Sequence, residues 1–280
     1  MLGVPHDGGT TYVPGARLAP YHVRRVSALI QGYHPVHGID VFARLRCVDA
    51  GNVVFPPFDR ELMRAAVEAE IARLAAAGVA PVVVGGDHSI TLPILRALAR
   101  KHGPLAVVHL DAHLDVSGPE TWGDAYHHGT PFRHAIEQGL IERGQLFQIG
   151  IRGPRGSADD DAVVRAAGHT VISADDVDAR GASGVVGELR DRIGRRPVYV
   201  TVDIDAIDPA FAPGTGTPVP GGLTAREALA LVRGLGGLAV CGGDVVEFCP
   251  PLDHADITAH LSAQLVWEVL ALLAVHRAGR

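Results

Sequence analysis

Lysine is almost absent, since Lys101 stands alone against 24 arginines in a chain of 280 residues. Acidic residues outnumber the two basic types together, 31 to 25, and leave a formal charge of −6. That balance excludes a basic footprint for nucleic acid. Aromatic residues make up only 5%, and there are only three cysteines, Cys47, Cys241 and Cys249. An odd number without a C-x-x-C pair excludes a disulfide framework and a cysteine-ligated zinc site. A reducing cytoplasm is therefore expected, and no charged-then-apolar leader pattern opens the chain. No apolar run reaches the roughly 18 to 20 residues of a membrane helix, so no membrane partner is expected.

What is present is an ordinary globular composition, 47% hydrophobic and 20% charged, with 34 glycines and 19 prolines. A chain of this length buries about three-quarters of its unfolded surface. With no internal repeat or linker, one domain over residues 1–280 is expected. Fifteen histidines are conspicuous, because imidazole both ligates metals and titrates near neutrality.

Short apolar runs alternate with segments of helical period. Strands are expected at Pro81–Val84, Leu105–Leu110, Leu146–Ile151, His169–Ile172, Val198–Ile204 and Leu238–Val246. Met63, Val67, Ile71 and Leu74 mark one helix, with Asp59 as its cap and Gly78 as its stop. Ile257, Leu261, Leu265, Val269 and Leu272 mark the last helix, which is expected to end near Gly279. Strands alternating with helices predict a three-layer α/β/α domain around a mostly parallel sheet. Working residues in such sheets gather beyond the carboxyl ends of the strands. The polar clusters fall there: Gly85-Gly86-Asp87-His88-Ser89, Asp111-Ala112-His113-Leu114-Asp115 and Asp203-Ile204-Asp205.

Asp111, His113 and Asp115 stand two residues apart, so an extended backbone points all three to one side, and Asp203 and Asp205 repeat the pattern. An isolated Asp at a strand end is usually a cap, but four carboxylates on one spot repel unless cations neutralise them. With His88 and His113 the set is too large for one ion and suits a dinuclear centre. Oxygen-rich ligation with one nitrogen per ion favours manganese over structural zinc.

These three segments, the last extended as Thr201-Val202-Asp203-Ile204-Asp205 with Asp208-Pro209, resemble the signatures of the ureohydrolase family, which contains arginase and agmatinase. Asp7-Gly8-Gly9-Thr10, Pro14-Gly15-Ala16-Arg17, Val48-Asp49-Ala50-Gly51, His128-Gly129-Thr130-Pro131-Phe132, the stretch from Pro209 to Gly222 and Asp244-Val245-Val246-Glu247 extend the likeness over nearly the whole chain. It is strongest to the branch holding agmatinase, guanidino-acid hydrolases and proclavaminate amidinohydrolase.

The resemblance implies an arginase-like fold and two Mn²⁺ per chain. One ion would be capped by His88 and the other by His113, with Asp111 and Asp203 bridging, Asp115 completing the first side and Asp205 the second. Two divalent cations acidify water near neutral pH, which a poor electrophile such as guanidinium requires. Glu247 would pair with the substrate guanidinium, His128 would shuttle a proton to the leaving amine, and Asp115 could relay the proton of the nucleophile. His127 is expected to pack or to face solvent. A homotrimer or homohexamer is implied as well.

The loop from Val116 to His127 should line the pocket mouth. It carries Glu120, Trp122, Asp124 and Tyr126 and no cation, so Trp122 and Asp124 are expected to contact a distal ammonium, and agmatine is the expected small guanidino substrate. The alternative is a guanidino acid whose carboxylate meets Arg152 or Arg155. A mononuclear zinc hydrolase of the deacetylase type and an inactive, ureohydrolase-like binding subunit are the further alternatives. Pro213-Gly214-Thr215-Gly216-Thr217-Pro218 lacks the Lys-Ser/Thr ending of a phosphate loop and is read as a compact turn. Trp267 is expected in the core. Leu114 and Gly243 depart from the family pattern beside site residues and imply a different pocket shape. A shortened first strand is expected at Met1–Pro5.

Overall fold

The computed structural model describes residues 1–278. Its strands are β1 (Leu2–Gly3), β2 (Tyr33–His34), β3 (Ile39–Asp40), β4 (Val82–Val84), β5 (Leu105–Leu110), β6 (Ile141–Ile151), β7 (Thr170–Ser173), β8 (Pro197–Asp203) and β9 (Ala239–Val246). Its helices are α1 (Ala19–Val26), α2 (Val41–Arg44), α3 (Arg60–Ala76), α4 (Thr91–His102), α5 (Pro119–Trp122), α6 (Pro131–Glu137), α7 (Ala158–Ala166), α8 (Ala174–Ile193), α9 (Ala225–Gly234) and α10 (Ile257–Ala278). All six expected strands form. The hairpin β2–β3 was not anticipated, because its two-residue strands are too short to show alternation. The first strand, β1, is two residues long.

Seven strands make one sheet in the order β1-β4-β9-β8-β5-β6-β7, and every pairing in it is parallel. Alternate residues of each strand face opposite layers. Leu105, Val107 and Tyr199 join α3, α4, α6 and α7 on one face, while Ala106, Val108, Val198 and Val200 join α1, α2, α8, α9 and α10 on the other. Both faces are therefore buried, which explains near-continuous runs such as Val82-Val83-Val84. In α3 the Asp59 carboxylate accepts from the Leu62 amide at 2.9 Å, and Met63, Val67 and Ile71 are buried as expected. The fourth core position is Ala75 and not Leu74, because the stripe steps by four residues there.

The chain places β8 and β9 between β4 and β5. The loops leaving β4, β9, β8 and β5 consequently stand side by side above the centre of the sheet. This insertion is what gathers the polar segments.

By length and mean hydropathy (1.5), the segment Ile257–Arg277 of α10 matches a membrane span, a match the sequence reading missed because polar residues interrupt it. It is 78% buried within the domain, and its Glu268 accepts hydrogen bonds from Arg233 at 2.6 Å and Gln264 at 2.8 Å and lies 2.8 Å from His34 Nε2. The His34 ring stacks on Trp267 at 4.5 Å and ties the β2–β3 hairpin to the helix. The expected end near Gly279 lies outside the described residues.

Several histidines serve the fold. Burial, with Arg143 nearby, pushes His169 down to about 4, and its Nδ1 accepts from the Leu146 amide at 3.2 Å. A histidine depressed from about 6.5 contributes its full stability above that value and loses it as pH falls toward the folded value, since the unfolded chain then binds the extra proton. His169→Asn keeps an acceptor for Leu146 and removes the titration. In urea unfolding the wild type is expected to lose about 1 kcal/mol more than this variant between pH 7 and pH 5, after discounting for partial exposure. Parallel losses would exclude the histidine as the source.

Candidate functional site

The site begins at Gly86. A Cβ there would lie 1.5 Å from the His6 carbonyl oxygen and 2.5 Å from its carbon, so only glycine lets the backbones after β1 and β4 cross. The crossing is clamped by Asp87 N to His6 O and Glu247 N to Gly86 O, both 2.8 Å. Asp87 accepts from the Gly9 amide at 2.7 Å and the Ser89 amide at 3.0 Å, which starts the helical turn that presents His88.

Asp111, His113, Asp115, Asp203 and Asp205 do converge, though not by the extended geometry expected. β5 ends at Leu110 and β8 at Asp203, and tight turns follow. Asp111 accepts from the His113 amide at 2.6 Å, Asp203 from the Asp205 amide at 2.8 Å, and Asp205 from the Ala112 amide at 3.0 Å. Backbone donors, not strand pleating, aim the carboxylates. Asp115 and Glu247 sit at φ 52° and 62°, a left-handed conformation that costs a non-glycine residue about 1 kcal/mol or more.

Two donor groups result, and they share one carboxylate. His88 Nδ1 faces Asp115 at 3.1 Å and Asp111 and Asp203 at 3.2 Å. It is buried and aligned with none of them as a hydrogen bond, an orphan that a cation would satisfy. His113 Nδ1 faces Asp205 Oδ2 at 3.0 Å and Asp111 Oδ1 at 3.5 Å. Asp111 thus turns Oδ2 to one histidine and Oδ1 to the other. His88, Asp111 and Asp115 with His109 form one group able to hold a metal ion, and Asp111, His113 and Asp205 the other.

The electrostatics carry the same message. Burial, then the neighbouring Asp205 and Asp111 carboxylates, push Asp203 well above the usual carboxylate range, and burial with Asp111 raises Asp205. Burial disfavours charge on His113, yet Asp205 and Asp111 outweigh it and push it up to about 12. Without a cation the cluster holds protons that it would surrender to one.

The residue the sequence reading missed is His109. Leu114 O can only accept, so the amide nitrogen of Gln148 lies against it at 2.6 Å, and the same nitrogen donates to His109 Nδ1 at 3.1 Å. His109 Nε2 must then carry the hydrogen it donates to Asp111 Oδ2 at 2.7 Å. Fixed as a donor, His109 orients the shared carboxylate and is no ligand itself. A histidine on the inward side of an otherwise apolar strand, two residues before Asp111, was its sequence signal. His109→Phe is expected to weaken metal binding by about 10- to 100-fold in calorimetric titration. Wild-type affinity would show Asp111 to be held without it.

Of the two departures from the family pattern only Gly243 finds a reason, and nothing in the structure explains the buried leucine side chain at 114, which lines the site's cavity. A Cβ on Gly243 would approach Val200 O to 2.5 Å, so β8 leaves no room for a bulkier residue.

His113, Asp115, Asp203 and Asp205 line the floor of a cavity of about 510 Å³. His128 and His127 line it, with Thr11 and Tyr12 from the loop after Asp7 and Trp122 at 62% exposure. His127 is packed, its Nδ1 accepting from the Gly129 amide at 3.1 Å. Buried Glu247 Oε1 accepts from the His88 amide at 2.7 Å and meets His128 Nδ1 at 2.8 Å. Burial opposes charge on His128, but Glu247 overrides it and pushes the ring up to about 9.

Asp124 is not in this cavity. It pairs with Arg60, accepts from the Tyr126 amide at 2.9 Å, and lines a separate depression with Phe58 and Arg64, because Arg60 of α3 draws it outward. Tyr126 turns the same way and stacks on His134 at 4.4 Å. Arg152 is spent on backbone carbonyls of Asp205, Ala206 and Val219. Arg155 is the one Arg or Lys among the described residues lining the cavity.

The model of the arginase family matches residues 1–272. The chain is 47% identical over 270 residues to proclavaminate amidinohydrolase of Streptomyces clavuligerus, covering 96% of this chain and 86% of that protein. It is 45% identical over 274 residues to guanidinopropionase of Pseudomonas aeruginosa, covering 98% and 86%. The solved structure of the Streptomyces enzyme superimposes with a TM-score of 0.93 over 98% of this chain and 91% of that one. The family match over residues 1–272, the sequence identity over nearly the full length and the shared fold lead to one conclusion: the chain belongs to the arginase family.

Proposed function

We propose that the chain is an amidinohydrolase that cleaves a guanidino acid to urea and an amino acid, with two Mn²⁺ ions as resident cofactors. The observation that carries this reading is the charge layout of the cavity: paired His/Asp groups on the floor, Arg155 on the wall beside Asp161 at 3.3 Å and donating to the Gly153 carbonyl at 2.7 Å, and Asp124 turned away. Names of relatives such as proclavaminate amidinohydrolase and guanidinopropionase support it.

His88, Asp111, Asp115 and Asp203 would hold one ion, and Asp111, His113, Asp203 and Asp205 the other. The orphaned His88 Nδ1 and the crowded carboxylates fit cations, and an oxygen-rich set with one imidazole on each side fits manganese. Bound there, the ions supply acidified water near neutral pH. Glu247 brings the negative charge that pairs with a guanidinium, and its contact with His128 keeps a proton near the leaving amine. Glu247 raises the His128 ring above its ordinary value, which favours the proton that the ring needs to act as the acid. Asp115 stands beside His88 and can take the nucleophile's proton. A single zinc ion, as in deacetylase-type hydrolases, would leave one histidine–carboxylate group uncompensated. Elemental analysis reads this directly: about two manganese per chain supports the proposal and one zinc contradicts it.

The substrate class is tested by urea release from guanidinobutyrate, guanidinopropionate, agmatine and arginine in Mn²⁺. Arg155→Gln is expected to lower kcat/KM for the preferred guanidino acid by about 10- to 100-fold, the value of a charge-assisted hydrogen bond, and to leave agmatine within about twofold. A wild-type preference for agmatine would overturn the acid substrate and keep the reaction. The homotrimer or homohexamer is part of the proposal, and light scattering on the eluting protein checks it.

A further inference from the structure

His128 is hydrogen-bonded at both ring nitrogens, and only one partner belongs to the machinery described so far. Nδ1 faces Glu247 Oε1 at 2.8 Å. At Nε2 the Thr11 backbone amide donates from 3.1 Å and the Thr11 hydroxyl lies at 2.7 Å. The loop that brings Thr11 there is held at three points. Asp7 accepts from the Gly15 amide at 2.8 Å and pairs with Arg17, Gly9 N donates to Asp87 at 2.7 Å, and His128 N donates to Gly9 O at 3.0 Å. Thr11 is thus fixed against the ring by the same backbone that fixes the ring.

The two contacts at Nε2 differ in what they permit. A backbone amide only donates, so it requires a lone pair on Nε2, which is the neutral ring with its hydrogen on Nδ1 toward Glu247. A hydroxyl donates or accepts, so it suits Nε2 with or without a proton. A carboxylate on one side favours the doubly protonated ring, and the amide on the other favours release from Nε2.

We propose that Thr11 is a positioning residue for proton transfer by His128: its hydroxyl holds the Nε2–H of the charged ring and its amide receives the lone pair once that proton has left. The proton leaves Nε2, a leaving amine accepts it as its carbon–nitrogen bond breaks, and the ring ends neutral. This rests on the amidinohydrolase reading for the identity of the acceptor, while the ring geometry stands without it. The other titratable groups facing the ring are Glu247, Asp115, Asp87 and His127.

Thr11→Val keeps shape and amide and removes the hydroxyl, and Thr11→Ser restores it. In the valine variant kcat is expected to fall about tenfold with KM within about twofold. The alkaline limb of the pH–rate profile should move down by about one unit, because the charged ring has lost its acceptor while the amide still favours the neutral one. Serine should recover kcat to within about threefold. A valine variant with wild-type kcat and an unmoved limb, or a serine variant as slow as valine, overturns the proposal. If the wild type releases no urea from any guanidino compound, the amidinohydrolase reading fails instead. The proposal is then decided by ¹⁵N–¹H ring correlations of metal-free protein. The expected result is an Nδ1–H tautomer in the neutral His128 ring and a titration lowered by about one unit in Thr11→Val; an Nε2–H tautomer or an identical titration overturns it.

Discussion

Asp203→Asn is expected to abolish urea release, by roughly three orders of magnitude or more, and to make the metal-free protein more stable. The loss of activity follows from taking a carboxylate from the set facing His88. The gain in stability follows from the raised pKa of Asp203, caused by burial and by Asp205 and Asp111. A carboxyl whose folded pKa lies above its unfolded value destabilises the fold once pH exceeds the unfolded value, because the unfolded chain ionises it freely. Asparagine keeps an oxygen for the Asp205 amide and removes the charge. Calorimetry in chelator at pH 7 should show Tm up by about 2 to 5 °C, a difference that shrinks as pH falls toward 4. Full turnover after manganese titration, or a lower Tm in chelator, would sink the account of the cluster.

Gly86→Ala is expected to do the opposite, damaging fold and site together. The added Cβ would meet His6 O at 1.5 Å, and all three of its nearest atoms are His6 backbone, so no side chain can move aside. Relief requires parting the segments after β1 and β4, which breaks the bonds Asp87 N to His6 O and Glu247 N to Gly86 O. A cost above about 4 kcal/mol follows, and Tm should fall by about 10 °C or more, or the protein should fail to accumulate in soluble form. Gly38→Ala is the control. Its φ of +63° carries the usual penalty of about 1 kcal/mol, but no atom lies within 4 Å of the new Cβ. Equal losses in the two variants would mean that backbone freedom, and not the crossing, requires Gly86.

The layers and the floor of the site were legible in the sequence because both rest on short-range patterns. Val82-Val83-Val84 and Leu105 to Leu110 are apolar runs ending in polar clusters, and a parallel sheet puts such ends together. The spacing of Asp111, His113 and Asp115 led to the right cluster through the wrong backbone, since turns also bring alternate residues to one side. Asp124 was misplaced because its partner Arg60 lies 64 residues earlier, on a helix whose packing no local pattern reveals. His109 was overlooked for the same reason: its tautomer depends on Gln148, 39 residues away, and on one backbone carbonyl. The histidine excess is partly resolved, with His34 joining a hairpin to α10 and His169 packed neutral.

The positive φ at Asp115 and Glu247 has a consequence for how this protein would respond to selection. Glycine is the residue that such backbone prefers, but Glu247 also accepts from the buried His88 amide, so the fold itself resists its loss while Asp115 faces the other carboxylates. A library screened only for thermal survival should drift toward glycine at 115 and keep an acceptor at 247. Only a screen that also demands turnover would hold Asp115 in place, and the difference between the two outcomes would map where chemistry, and not folding, dictates the residue.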